Sequence, residues 1–218
     1  MTKKDEAEFL IESVLADNVM SRIVRDDPMC SIKRREQKLL EVLGLNAGYV
    51  YNMEATNLLV QLYIADGRHE NAISYFEKLA SFATENDLIL AADLAANACA
   101  SLKLYKIGIH IYELALLKFK HPKLMNGISY FYGKTRQYDL ALQYSKMAVE
   151  AEPKNPFFLN DYGYTLFKMG RLEEARSAYE KGAGLKSDYE LIRNNLKECE
   201  TAIIKRNNQK ITAGGTYR

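Results

Sequence analysis

Residues 156–189 read PFFLNDYGYTLFKMGRLEEARSAYEKGAGLKSDY, and the reading of this stretch decides the fold. Pro156 opens an apolar run, as a proline does at a first helical turn, where its missing N–H leaves no partner unsatisfied. The run reaches Leu166 and stops at Gly170, which predicts a turn. After the turn, Ala175 and Tyr179 fall four residues apart among charged neighbours, the spacing of a helix with one apolar face. Gly163 sits in the first helix beside Tyr162, small where the second helix has to cross closely. Two helices joined by a tight turn are the prediction for this block.

The pattern recurs upstream. Residues 122–155 carry Ile128-Ser129, Tyr132, Ala141, Ala148 and Pro153 in the same register. Before them come Ala95-Ala96, Cys99, Gly108, Tyr112 and Ala115, and before those Leu59-Val60, Tyr63, Gly67, Ala72 and Phe76. The small residues that open the second helices, Ala72, Gly108, Ala141 and Ala175, are spaced by 36, 33 and 34 residues. Lys103 and Arg136 stand where the other two turns have Gly67 and Gly170, so these two turns either do without a left-handed residue or are strained to reach it. Ser145 stands where the other blocks place Phe76, Tyr112 and Tyr179.

Over about residues 53–189 the pattern resembles the tetratricopeptide repeat, a helix pair of about 34 residues. The resemblance implies an all-α, right-handed α-solenoid with repeats at about 53–88, 89–121, 122–155 and 156–189. Residues 1–52 are expected to form an N-terminal helical cap or oligomerisation segment. A stripe of Phe9, Leu10, Val14, Leu15, Ile23 and Val24 marks its first helix. Asp27-Pro28 begins a second, ending near Leu43 with Gly44 as its cap. Neither helix matches the repeat pattern. Capping is the preferred role, because an open first repeat would expose Leu59 and Tyr63; a homodimer through these helices is the alternative. Residues 190–206 are expected to be a capping helix, and residues 207–218 a disordered tail.

The chain has 218 residues, 48% hydrophobic and 27% charged, which is ordinary globular composition and excludes collagen-like or wholly disordered readings. Thirty basic and 28 acidic residues leave a formal charge of +2, too near balance for a protein that works mainly by neutralising phosphates. The cluster Lys33-Arg34-Arg35 with Lys38 is the best nucleic-acid candidate, and beside Glu36 and Glu41 it reads first as a solvated helix face. Cys30, Cys99 and Cys199 are widely spaced and odd in number, which fits reduced thiols in the cytoplasm. There is neither a secretory signal pattern nor an apolar run long enough for a membrane span.

The sequence contains no Gly-rich phosphate loop, HExxH or GxSxG. His69, His110 and His121 lack the short spacings of a metal site and read as turn or surface residues. No enzyme activity, cofactor or metal is expected.

In tetratricopeptide arrays the first helix of each repeat lines a concave groove, and the positions three before and one after its small crossing residue point inward. The resemblance thus marks Asn57 and Gln61, Asp93 and Asn97, Asn126 and Tyr130, and Asn160 and Tyr164, with Asn194 one period further. An asparagine amide offers both a donor and an acceptor and can pair with one peptide unit of an extended ligand. Tyr130, Phe157, Tyr164 and Phe167 make the later part of this face aromatic. Family members that clamp the C-terminal carboxylate of heat-shock chaperones place a Lys and an Asn four apart, an Asn, then a Lys and an Arg four apart on three successive first helices. No window here does so. The expected function is a cytoplasmic, non-enzymatic module that binds an extended segment of a partner protein, as an adaptor, assembly factor or secretion-type chaperone. A self-assembling scaffold and an RNA- or ribosome-associated factor are the alternatives.

Overall fold

A computed structural model describes the backbone of residues 1–23 and 28–214, with side chains at 1–16 and 31–209. Eleven α-helices and no strand occur among the described residues. They fall into two compact units, Met1–Phe119 and Lys120–Arg218.

The first unit contains α1 (Lys3–Ile23), α2 (Pro28–Leu45), α3 (Tyr49–Ala65), α4 (His69–Phe82), α5 (Glu85–Ser101) and α6 (Tyr105–Lys118). The second contains α7 (Pro122–Lys134), α8 (Tyr138–Ala151), α9 (Pro156–Lys168), α10 (Leu172–Leu185) and α11 (Glu190–Gly214). The four expected pairs are α3 with α4, α5 with α6, α7 with α8 and α9 with α10, and each packs as neighbours.

The crossings lie where the small residues put them. Val60, Ala96, Ser129 and Gly163 on the first helices are buried, as are Ala72, Gly108, Ala141 and Ala175 on the second. A Cβ built on Gly163 would stand 2.8 Å from Cε1 of Tyr179, so only glycine fits beneath that ring. Phe76, Tyr112 and Tyr179 are buried wedges, and Ser145 is buried at the equivalent place, its hydroxyl donating to the Leu142 carbonyl at 3.2 Å.

All four turns share one hydrogen-bond pattern. Arg68, Leu104, Gln137 and Arg171 donate from their backbone N–H to the carbonyls of Tyr63, Cys99, Tyr132 and Leu166, at 2.8–3.0 Å. This six-residue closure needs a left-handed residue just before the donor. Gly67 and Gly170 supply it at φ 76°, and Lys103 and Arg136 adopt it at φ 59° and 61° in spite of their Cβ. Strain is therefore the outcome at both non-glycine turns.

Two details of the N-terminal helices differ from the reading of the sequence, the face that α1 buries and the end of α2. Although α1 and α2 lack the repeat signature, α2 packs on α3 and α1 packs on both, the arrangement of one more helix pair. The buried stripe of α1 is Ala7, Ile11 and Val14, whereas Phe9 and Leu15 are exposed. The run Phe9-Leu10-Ile11 permits more than one helical face, and the spacing of seven residues between Ala7 and Val14 selects the one that meets its neighbours. The side chain of Ile23, and Val24 and Asp27 entirely, lie outside the described residues. α2 runs two residues past Leu43; Gly44 stays inside it, and Asn46 takes the left-handed conformation at φ 48°.

Glu36 of α2 ties this pair to the first repeat. It accepts from the Tyr63 hydroxyl at 2.9 Å and from Arg68 Nη1 at 2.8 Å, while Arg68 also donates to Asp66 and lies 4.5 Å above the Tyr63 ring. The Arg68 guanidinium holds the Glu36 carboxyl below the usual carboxylate range.

In the second unit α11 packs on α10 and α9 as the first helix of a further repeat would. Its Ile192, Cys199 and Ile203 close a core with Leu166, Ala175 and Tyr179. The helix continues to Gly214 rather than ending near Arg206. Residues 207–213 hold neither proline nor glycine, so nothing local stops it before Gly214-Gly215. Residues 215–218 lie outside the described region.

Candidate protein-binding face

On the second unit, asparagines at the marked positions converge on an acid. Asn126 of α7 donates from Nδ2 to Asp161 Oδ2 at 2.7 Å, and Asn160 of α9 donates from Nδ2 to Asp161 Oδ1 at 3.0 Å. Asn195 of α11 donates to Asn160 Oδ1 at 2.8 Å. Asn160 is only 3% exposed. Both atoms of its amide are thus occupied within the protein, and it does not line an open groove. Burial pushes the Asp161 carboxyl above its ordinary value, with the two amides pulling the other way. Asn194, the position one period further, is exposed, and its neighbour Asn195 makes the inward bond.

Tyr130 and Tyr164 flank this network, 46% and 40% exposed on α7 and α9. Each ring has a lysine above it one turn further along its own helix: Lys134 lies 5.0 Å from the Tyr130 centroid and Lys168 5.0 Å from that of Tyr164. The two tyrosines, with Ser129, Gly133, Lys134, Asp161 and Thr165, line a small recess. Phe157 is 45% exposed and packs edge-on to Tyr189 at 4.9 Å, whereas Phe167 packs against the core of the unit. Sequence reasoning singled out the tyrosines but passed over Lys134 and Lys168, and it met Asp161 and Asn195 only as positions without a carboxylate-binding cation. The lysines carried a signal, since Tyr-x-x-x-Lys recurs 34 residues apart. The bond from Asn195 depends on helix packing and carried none.

On the first unit the marked residues diverge. Asp93 accepts from the Tyr112 hydroxyl at 2.8 Å, and burial, aided by this acid, raises the tyrosine's pKa. Asn57 and Gln61 are half-buried, Asn97 is exposed, and Asn57 Oδ1 has no hydrogen-bond partner among the described residues. Of the basic cluster, Arg35 donates from Nε to the Ser31 carbonyl at 3.3 Å.

His121 caps α7, its Nδ1 accepting from the Lys123 N–H at 3.2 Å, and His110 lies 3.8 Å from Glu113. No group of three metal-binding side chains occurs among the described residues. Cys99 is buried, and burial pushes its thiol up to about 12; buried Cys199 donates from Sγ to the Leu172 carbonyl. The side chain of Cys30 lies outside the described residues. Among the described residues no helix is long and apolar enough to cross a membrane.

Helix pairs of this spacing and crossing define a class, the helical-repeat domains, and comparison with known proteins agrees with it. Family models of the tetratricopeptide repeat match residues 54–86 and 145–177. By these matches the chain carries tetratricopeptide repeats, and the described residues form the all-α helix pairs of that repeat. It is 29% identical over 116 residues to small glutamine-rich tetratricopeptide repeat-containing protein 2 of Mycosarcoma maydis, covering 52% of this chain and 33% of that protein. The chain therefore spans about a third of the length of that curated relative. The Sgt2 TPR domain from Aspergillus fumigatus superposes with a TM-score of 0.52 at 22% identity, over 57% of this chain and 82% of the domain. The first TPR domain of human RPAP3 gives a TM-score of 0.53 at 20% identity, over 56% and 96%.

Proposed function

We propose that the chain is a non-enzymatic, cytoplasmic protein-interaction module whose second unit holds an extended segment of a partner protein across α7 and α9. The observation that carries this reading is the repeated Tyr-Lys pair, Tyr130 with Lys134 and Tyr164 with Lys168. Half-exposed tyrosines on adjacent helices are rigid amphipathic anchors, the residue type on which interface energy concentrates.

The identity of the segment is narrowed by what stands beside it. The first TPR of Spaghetti (RPAP3) was solved with the HSP90 peptide SRMEEVD bound, at a TM-score of 0.50 and 20% identity to this chain. The corresponding window of the second unit offers Asn126 and Tyr130, Asp161, then Leu191 and Asn195. It has no cations at the carboxylate-binding positions, and an acid, Asp161, stands in their midst. A terminal carboxylate is not the ligand proposed here. An adaptor, assembly factor or secretion-type chaperone for an internal segment fits better.

The test is a pull-down from native lysate with the intact chain and with Tyr130→Ala/Tyr164→Ala, alongside thermal unfolding of both. The proposal expects a partner retained by the wild type and lost from the double variant at an unchanged unfolding midpoint. The same proteins recovered by both would remove this face from the mechanism. Mass that grows with concentration in light scattering, with no partner retained, would favour a scaffold.

A further inference from the structure

The first unit carries a second surface of a different chemistry. Along α1, α3 and α5, two recesses of about 510 and 250 Å³ lie side by side, and Val50 and Glu54 line both. Their apolar part includes Leu15, Val50 and Leu90, which are 44%, 67% and 59% exposed, with Met53 between them. Large aliphatic side chains this open in one strip are a recognition surface rather than scattered surface residues.

The charges around the strip have one dominant sign. Glu8, Glu12 and Glu54 line the first recess and are exposed, with Lys4 the cation at its end. None of the three glutamates forms an ion pair among the described residues. Asp87 borders the second recess, accepting from the Tyr49 and Thr84 hydroxyls. The described parts of α3 and α5 contain no lysine or arginine.

We infer that this face docks a short amphipathic helix of a partner protein, with leucine-type side chains on one stripe and lysine or arginine beside it. The apolar strip takes the stripe, and Glu8, Glu12 and Glu54 take the flanking cations. A helix satisfies its own backbone hydrogen bonds, so its recognition rests on side chains, which is what this face offers. Complementary charge selects the partner and suppresses acidic competitors. This proposal uses residues of the first unit alone and does not depend on the function proposed for the second.

The probe is a fluorescein-labelled synthetic peptide of about 18 residues, long enough to hold a helix, with leucines at i, i+3, i+4 and i+7 and lysines elsewhere. A second peptide has glutamates in place of the lysines. Anisotropy with the full chain at physiological salt should show the lysine peptide binding roughly ten-fold or more tighter. Glu8→Lys/Glu12→Lys/Glu54→Lys should abolish or reverse that preference, and Val50→Ala/Leu90→Ala should weaken both peptides without changing it. The control Glu70→Lys/Glu77→Lys/Glu190→Lys makes the same change in net charge at exposed positions elsewhere and should leave binding as it was. Equal binding of the two peptides, or an equal loss in the control, would overturn the inference. So would a wild-type dimer in light scattering that Val50→Glu/Leu90→Glu converts to monomer, because the occupant would then be a second copy.

Discussion

Replacing Gly163 with alanine tests the packing of the second unit at its tightest point. The new Cβ would lie 2.8 Å from Cε1 and 2.9 Å from Cδ1 of Tyr179, where carbon atoms settle at about 3.5–4.0 Å. The ring has to withdraw by about 0.7 Å to reach that range. Tyr179 is 1% exposed and held among Leu166, Ala175, Ile192, Cys199 and Ile203, so its retreat pushes on α11. Overpacking of this kind costs about 1–3 kcal/mol. Against it stands the gain of about 1 kcal/mol from replacing a mid-helix glycine with alanine. The net expectation is a loss of about 0–2 kcal/mol, up to several degrees in midpoint for a unit of this size. Urea and thermal unfolding followed by circular dichroism would read it. Gly184→Ala is the internal control, because nothing lies within 4 Å of its Cβ, and it should be neutral or stabilising. In a Tyr179→Leu background the penalty at position 163 should disappear. A Gly163→Ala protein stabilised as much as Gly184→Ala would refute the close crossing.

Lys103→Gly and Arg136→Gly should each stabilise by about 0.5–1 kcal/mol, since relief of the left-handed conformation outweighs the added freedom of the unfolded chain; a lower unfolding midpoint would contradict the strain. Asn160→Ala should lower stability by about 1–3 kcal/mol by stripping Asn195 and Asp161 of a buried partner, and an unchanged midpoint would show the network to be dispensable. Asp161 sets a pH dependence. Because its folded pKa is raised, its ionised form opposes folding, so stability should increase as pH falls through the folded value towards the unfolded one. Relative to Asp161→Asn, the wild type should therefore gain midpoint between pH 7 and pH 4. A relative loss would mean that the amide hydrogen bonds outweigh desolvation.

The repeat was legible in the sequence because each close crossing demands a small residue, and seven such residues recur at a nearly fixed interval, with Val60 the one departure. The turns were legible in position but not in cost, since Lys103 and Arg136 show only that glycine is missing. The face of α1 was ambiguous because consecutive apolar residues allow more than one helical stripe. The candidate site divides along the same line. Tyr130 and Tyr164 lie where the register put them, yet Asn126 and Asn160, in the same register, both spend a donor on Asp161. Asn160 Oδ1 also accepts from Asn195 of α11, while Asn126 Oδ1 is buried with no partner among the described residues. Register assigns a residue to a face, but whether its polar atoms remain available depends on contacts about 35 positions away.

The 34-residue interval between Tyr130 and Tyr164 also acts as a ruler for any chain laid across them. Neighbouring packed helices have axes about 8–10 Å apart, so a ligand crossing α7 and α9 advances by about that much from one ring to the next. In a β-strand this is about three residues, and side chains three apart point to opposite sides. In polyproline II three residues complete one turn and rise about 9 Å, so every third side chain returns to the same face. A segment that presents equivalent side chains to both tyrosines is thus one that winds with a period of three, and proline within it would set the winding before binding.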